Sequence, residues 1–139
     1  MQVNSLSKYI VALIVGLAFA YSLTWLTGVS ANLMPAIGPY KWARENIEVA
    51  MFLANIYAYV LPLGLISLLI GYFLRNFLKT RSTVVVVLAA FPSLLLLLYP
   101  YIYRQLSDFN MLHWFMEIPK VLVILCGIAY MVKRVEKDL

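Results

Sequence analysis

Imidazole and carboxylate side chains occur at two points of this sequence, at spacings that suit a shared site. His113 and Glu117 are four residues apart, and Glu45 and Glu48 are three apart. Residues at these spacings share one face if their stretch is helical. Side chains of these types at one level can hold a cation or relay a proton. Ion pairs with nearby lysines and arginines would equally satisfy these four groups, so both interpretations stay open.

Three further positions place polarity or a break inside apolar sequence. Glu48 is flanked by Ile47 and Val49. Asn55 lies two turns before Pro62. An asparagine in hydrocarbon requires a hydrogen-bond partner, and a proline removes one N–H from a helix and bends it. Such positions can line a path through a membrane or hold two helices together.

The sequence contains no standard catalytic or phosphate-binding motif. Cys126 is the one cysteine, so the chain can form neither an intrachain disulfide nor a thiolate metal cluster. The sequence therefore favours a protein that acts without catalysis, and we expect no cofactor and no resident metal.

The composition indicates that these residues are positioned by helices in a membrane. The chain has 139 residues, of which 64% are hydrophobic and 12% charged. Soluble domains are about 45–50% apolar and about 25% charged. This difference excludes a soluble globular domain and a disulfide-stabilised secreted module. The net charge of +5 is spread thinly between long apolar runs, so we expect no nucleic-acid partner.

Four apolar runs are long enough to cross about 30 Å of hydrocarbon as helices. They cover residues 9–27, 47–74, 83–103 and 112–132, and a long outer loop covers residues 28–46. Barrel strands would alternate apolar and polar residues, which these runs do not. The first run resembles a signal peptide around Ala18 to Ala20, but it continues to Leu26, which favours a retained helix. The sequence predicts an all-α fold, a polytopic transmembrane four-helix bundle, in a single membrane domain over residues 1–139.

The positions of lysine and arginine predict the orientation of these helices. Seven of the eleven basic residues fall on one side of the four-run topology. Because positively charged short loops stay in the cytoplasm, we expect both termini to be cytoplasmic, in a plasma or inner membrane. We expect this side to contact anionic lipid headgroups. It contains Lys8, Arg75, Lys79, Arg81, Lys133, Arg134 and Lys137.

Small residues predict how the helices pack. Lipid provides no hydrophobic reason for helices to associate, so association depends on close packing, and small residues allow two backbones to approach closely. Two stripes at four-residue spacing each occupy one helix face. We expect the stripes to pair with each other or to form a docking surface for another subunit. They consist of Ala12, Gly16 and Ala20 on the first helix and of Ala50, Ala54 and Ala58 on the second.

Three functions are compatible with these features. The favoured one is a non-catalytic integral membrane subunit or accessory factor, which acts through helix–helix contacts in a larger membrane complex or a homo-oligomer. The first alternative is a small oligomeric channel or transporter, with Glu48, Asn55 and the Pro62 kink lining its path. The second alternative is a membrane enzyme that uses the histidine and carboxylates of the outer surface.

Overall fold

The structure, a computed structural model, describes residues 4–33, 46–103 and 111–134. Within these ranges the chain forms four helices and no strand, which confirms the all-α prediction for this part of the sequence. The helices are α1 (Ser5–Leu33), α2 (Ile47–Leu78), α3 (Thr83–Tyr103) and α4 (Met111–Lys133).

Helix α1 extends beyond its predicted range at both ends. At its start, Asn4 Oδ1 accepts a hydrogen bond of 3.1 Å from the Ser5 N–H, which satisfies one of the donors that a helix start leaves open. At its end, residues 28–33 are helical although their apolar character is weaker, because no proline interrupts the backbone before Pro35. Residues 34–45 of the predicted outer loop lie outside the described residues.

Three helices are long and apolar enough to cross a membrane by length and composition. The stretches that qualify are Ser5–Leu26 in α1, Ile47–Leu78, which is the whole of α2, and Phe115–Lys133 in α4. Helix α3 contains a shorter apolar stretch, Thr83–Tyr99. The structure therefore supports an integral membrane protein, with spanning length established for three of the four predicted runs.

The helices pack as sequence-distant pairs, α1 against α3 and α2 against α4, and α3 also contacts α4. Helices α2 and α4 run parallel. Asn55 near the start of α2 meets Met116 near the start of α4, and Gly71 near the end of α2 lies against Ile128 near the end of α4. The ends of α2 and α4 therefore lie at one end of the molecule, together with the short connection from α2 to α3.

A π-helical segment, Ile56–Val60, interrupts α2 immediately before Pro62. Proline has no N–H, and its ring presses against the carbonyl four residues earlier, so the ordinary ladder cannot continue through it. The preceding turn widens, and the Leu61 N–H donates to the carbonyl of Ile56, five residues back. The kink predicted at Pro62 thus takes the form of a wide turn on its N-terminal side.

The wide turn keeps one face of α2 buried along its length. The buried positions advance by four residues up to Ala58, by five from Ala58 to Leu63, and by four again to Ser67 and Gly71. In an uninterrupted α-helix, the one extra residue of the five-residue step would rotate the line away from its partners by roughly 100° relative to a four-residue step. The π segment absorbs this extra residue.

The core joins all four helices through aliphatic side chains and alanines. Among the described residues buried in this core, Phe19 is the one aromatic side chain. The members are Ala12, Phe19 and Leu23 of α1, Leu63, Leu74 and Leu78 of α2, Val85, Val86, Ala89 and Ala90 of α3, and Ile124, Ile128 and Val132 of α4.

Candidate functional site

Four polar side chains meet between α2 and α4, inside the stretches of spanning length. Asn55 and Tyr59 come from α2, and Glu117 and Lys120 come from α4. We call this group the interhelical polar cluster. Asn55 and Tyr59 are four residues apart, and Glu117 and Lys120 are three apart, so each pair shares one face of its helix. Ionisable residues buried between helices are candidates for function, because their burial is costly.

Asn55 links the two helices through a direct hydrogen bond. Its Nδ2 donates to the backbone carbonyl of Met116 at 2.9 Å, and 3% of the residue is exposed. The bond lies in the turn of α4 that precedes Pro119. An interhelical bond of this kind contributes about 0.6–2 kcal/mol in a membrane protein.

Glu117 and Lys120 form an ion pair on α4. The Lys120 Nζ donates to Glu117 Oε1 at 2.7 Å, and the side chains of Lys120 and Glu117 are 12% and 15% exposed. The same ammonium lies 4.9 Å from the centroid of the Tyr59 ring on α2. A cation at this distance from a ring face is attracted by the ring quadrupole. The pair on α4 is therefore tied to α2 through Lys120.

The interhelical polar cluster fixes the alignment of α2 on α4. Because both side chains of the ion pair are mostly buried, each charge is stabilised by its partner and not by solvent. Asn55 reaches from α2 to Met116, and Lys120 reaches from α4 to Tyr59. Met116 and Lys120 are one turn apart on α4, so sliding or rotating either helix would break both contacts.

The outer-surface cluster predicted from Glu45, Glu48, His113 and Glu117 is not assembled in the described part of the chain. Glu48 lies exposed in the first turn of α2, and Glu117 is engaged with Lys120. Glu45 and the side chain of His113 lie outside the described residues. Among the residues that are described, no group of three or more histidine, cysteine or carboxylate side chains is arranged to hold a metal ion. A metal or catalytic role for these residues stays a prediction.

The six small residues singled out for helix packing are all buried within the chain. The predicted pairing of the two stripes is wrong at Gly16. A Cβ added there would lie 2.6 Å from the Ala89 carbonyl oxygen and 2.9 Å from that of Leu88, so Gly16 packs against α3. Helix α1 contacts α2 mainly at the π segment, which includes Ala58. Four-residue stripes are compatible with several partners, and only the tertiary structure selects one.

The comparisons with known proteins identify no relative. No protein-family model matches this sequence. Neither a curated protein nor a solved structure matches it. The function is accordingly inferred from the helices and their side chains.

Sequence reasoning missed the close contact between the later halves of α2 and α4. A Cβ on Gly71 would lie 2.8 Å from the Ile128 carbonyl oxygen, and a Cβ on Gly127 would lie 2.7 Å from Ser67 Cβ. Ser67 is itself satisfied, because its Oγ donates to the Leu63 carbonyl at 2.6 Å. The available signal was the four-residue spacing of the small residues Ser67 and Gly71, which places both on one face.

Proposed function

We propose that this chain is a small integral membrane protein that acts without catalysis, as a subunit or accessory factor in a larger membrane complex or a homo-oligomer. In this proposal the four helices cross a plasma or inner membrane as a bundle, with both termini in the cytoplasm. The three helices of spanning length support the membrane location. Helix α3 completes the bundle, because its 21 residues match the length that a span requires, about 20 residues.

The charge at one end of the molecule supports the proposed orientation. The parallel ends of α2 and α4 and the connection to α3 carry five cations, and the described residues at this end include no carboxylate. Positively charged segments beside membrane helices stay in the cytoplasm. This end would therefore lie inside the cell, against anionic lipid headgroups. The cations are Arg75, Lys79, Arg81, Lys133 and Arg134.

A concave apolar surface between α1 and α3 is the observation that carries the proposal. This apolar groove has a volume of about 420 Å³, and Leu17 and Phe91 on its two sides are half exposed. Its lining residues are Leu13, Leu17, Ala20, Phe91, Pro92, Leu95, Leu96 and Tyr99. We assign it to a transmembrane helix of a second subunit, because ridges of side chains on one helix pack into grooves on another. Dispersion contacts along such a groove drive association in lipid.

The apolar groove replaces the small-residue stripes as the expected assembly surface. Gly16 and Ala54 are buried inside the chain, so enlarging them would disrupt the fold before it reached any partner. Leu17 is 55% exposed and points into the groove lining, so a larger side chain there fills the groove without entering the core.

Replacing Leu17 with tryptophan tests the proposal. We expect Leu17→Trp to reduce assembly, measured in mild detergent as the mass of the purified full chain by light scattering and as co-purified subunits. The matched control is Leu69→Trp, which changes a leucine on α2 that is 67% exposed and lies outside the groove, and we expect it to leave assembly intact. A wild-type chain that travels alone, or a Leu17→Trp variant that assembles like the control, would refute the proposal.

A small oligomeric channel or transporter is the second candidate function, and one observation favours it. The Glu117–Lys120 ion pair lies inside a helix of spanning length, beside a π segment of the neighbouring helix. Both features recur at functional sites in membrane proteins. Ion flux distinguishes the two functions, and it is measured in liposomes that contain the same protein preparations as the assembly measurement. Ion flux that disappears in Glu117→Gln or Asn55→Leu would favour transport, and absence of flux favours the non-catalytic subunit.

A further inference from the structure

We infer that the turn between α2 and α3 is a binding site for the phosphate of an anionic lipid headgroup. The inference rests on the proposed function for its orientation, because it requires this end of the molecule to lie at the membrane surface. The turn forms an open pocket of about 290 Å³, which we call the basic pocket. It is lined by Arg75, Asn76, Lys79, Thr80 and Arg81.

The chemistry of the basic pocket fits a phosphate group. Three of its five lining residues carry positive charge, and Asn76 and Thr80 add side chains that can donate hydrogen bonds. Its lining contains no carboxylate. Within the described part of the chain, Lys79 and Arg81 have no ion-pair partner. Arginine matches the geometry of phosphate oxygens, and lysine supplies a compact point charge.

The backbone holds Lys79 in a conformation that lysine rarely adopts. Lys79 caps the end of α2 with φ of 47° and ψ of 43°, and its N–H donates to the Arg75 carbonyl at 2.9 Å. Among the described residues, it is the one non-glycine residue with positive φ. Glycine is the usual residue at this position of a helix end, and a residue with a Cβ there costs about 1–2 kcal/mol. A strained residue at a ligand site is a recognised pattern.

Side-chain hydrogen bonds connect the rest of the turn to the start of α3. Thr80 Oγ1 accepts from the Ser82 N–H at 3.3 Å, and Ser82 Oγ accepts from the Val84 N–H at 3.2 Å. The pocket volume is close to the lower bound of small-molecule sites, about 300 Å³, which suits a headgroup, with the acyl chains of the lipid left in the bilayer.

The position of the basic pocket favours a lipid over a soluble phosphate compound. The apolar stretch of α2 ends at Leu78, and the residues that line the pocket lie on both sides of that end. In the proposed orientation, this is the depth of the cytoplasmic headgroups, where basic pockets beside membrane helices bind anionic lipids.

Lipid titration of the full chain in detergent micelles tests the inference. The probes are phosphatidylglycerol and phosphatidylcholine with the same acyl chains, and bound lipid is counted by native mass spectrometry. We expect phosphatidylglycerol to bind more tightly than phosphatidylcholine. We expect Lys79→Asn with Arg81→Gln to weaken phosphatidylglycerol binding at least tenfold, since both side chains line the pocket and a direct contact between a charged group and the phosphate contributes about fivefold or more.

A matched control removes two charges from the same end of the molecule outside the pocket. Lys133→Gln with Arg134→Gln is expected to weaken binding less than threefold. Equal losses in the two double variants would overturn the inference, because they would show diffuse surface charge without a site. Glycerol phosphate that binds as tightly as the lipid would overturn the assignment to a lipid.

Folding and assembly are measured on the same preparations. Lys79→Asn alone introduces a residue that tolerates the left-handed conformation, so we expect this variant to keep the wild-type circular dichroism spectrum. We expect its affinity for phosphatidylglycerol to fall about fivefold. An unchanged affinity in this folded variant contradicts the inference. The oligomeric mass reports separately on the proposed function, so a lipid site that fails with assembly intact leaves that proposal standing.

Discussion

Individual charges inside the α2–α4 interface depend on one another far more than charges at the helix ends do. The ion pair of Glu117 and Lys120 is mostly removed from solvent, and Lys120 also contacts the Tyr59 ring. Removing one member of a buried pair leaves the other charge uncompensated, which costs more than the pair itself contributes. The interhelical polar cluster is therefore a place where single substitutions have large effects.

Lys120→Met is expected to lower the free energy of unfolding by about 3 kcal/mol, because it leaves Glu117 charged and without its partner. The measurement is unfolding in mixed micelles followed by circular dichroism. Lys133→Met, which changes an exposed lysine of the same helix, is expected to change it by less than about 0.5 kcal/mol. Combining Lys120→Met with Glu117→Gln should recover part of the loss. Equal effects of the two lysine variants would show that the ion pair has no structural role.

At the scale of the elements, helix pairing depends on where backbones approach closely. Gly16 on α1 lies against the carbonyl groups of Leu88 and Ala89 on α3. Gly28 on the same helix has open space where a Cβ would be. The two glycines differ in surroundings while sharing one helix, so they separate the effect of packing from the effect of helix propensity.

Gly16→Ala is expected to destabilise the fold by about 1–3 kcal/mol, because the added methyl group overlaps backbone atoms that cannot rotate away. Gly28→Ala is expected to leave stability unchanged or raise it by up to about 1 kcal/mol through helix propensity. Thermal unfolding in detergent measures both. If Gly16→Ala were as stable as Gly28→Ala, the close packing of α1 on α3 would be refuted.

For the whole molecule, the parallel arrangement of α2 and α4 makes a prediction about sides of the membrane. The connection after α2 and the end of α4 lie at one end of the molecule, and Glu48 at the start of α2 lies near the other. Two helices that cross in the same direction must end on the same side. The proposed orientation places that side in the cytoplasm.

Single cysteines introduced into a Cys126→Ala chain test this arrangement. In intact cells, a membrane-impermeant thiol reagent is expected to label Glu48→Cys and to spare Lys79→Cys and Arg134→Cys, because the latter two lie inside. Permeabilised cells provide the control, in which all three positions react. Labelling of Lys79→Cys and Arg134→Cys from opposite sides would contradict the parallel pairing, and labelling of both from outside would reverse the orientation.

The candidate site was only partly visible in the sequence. Asn55 stood out because it is polar within an apolar run, and Glu117 stood out as part of a possible outer-surface cluster. The partner of Asn55, the Met116 carbonyl, was not indicated by spacing, whereas the pairing of Glu117 with Lys120 agrees with the alternative that nearby lysines satisfy these carboxylates. Tyr59 carried no signal, because a tyrosine among ten in a membrane protein has no distinguishing spacing.

The sequence by itself determined that the chain is helical and apolar enough for a membrane, because run length and composition are local properties of the chain. It also indicated where α2 is interrupted, since Pro62 lacks an N–H whatever surrounds it. Only the tertiary structure decided which faces meet. Small residues at four-residue spacing fit any helix that approaches closely, and the π segment before Pro62 rotates the later half of α2 by an amount that spacing alone does not reveal.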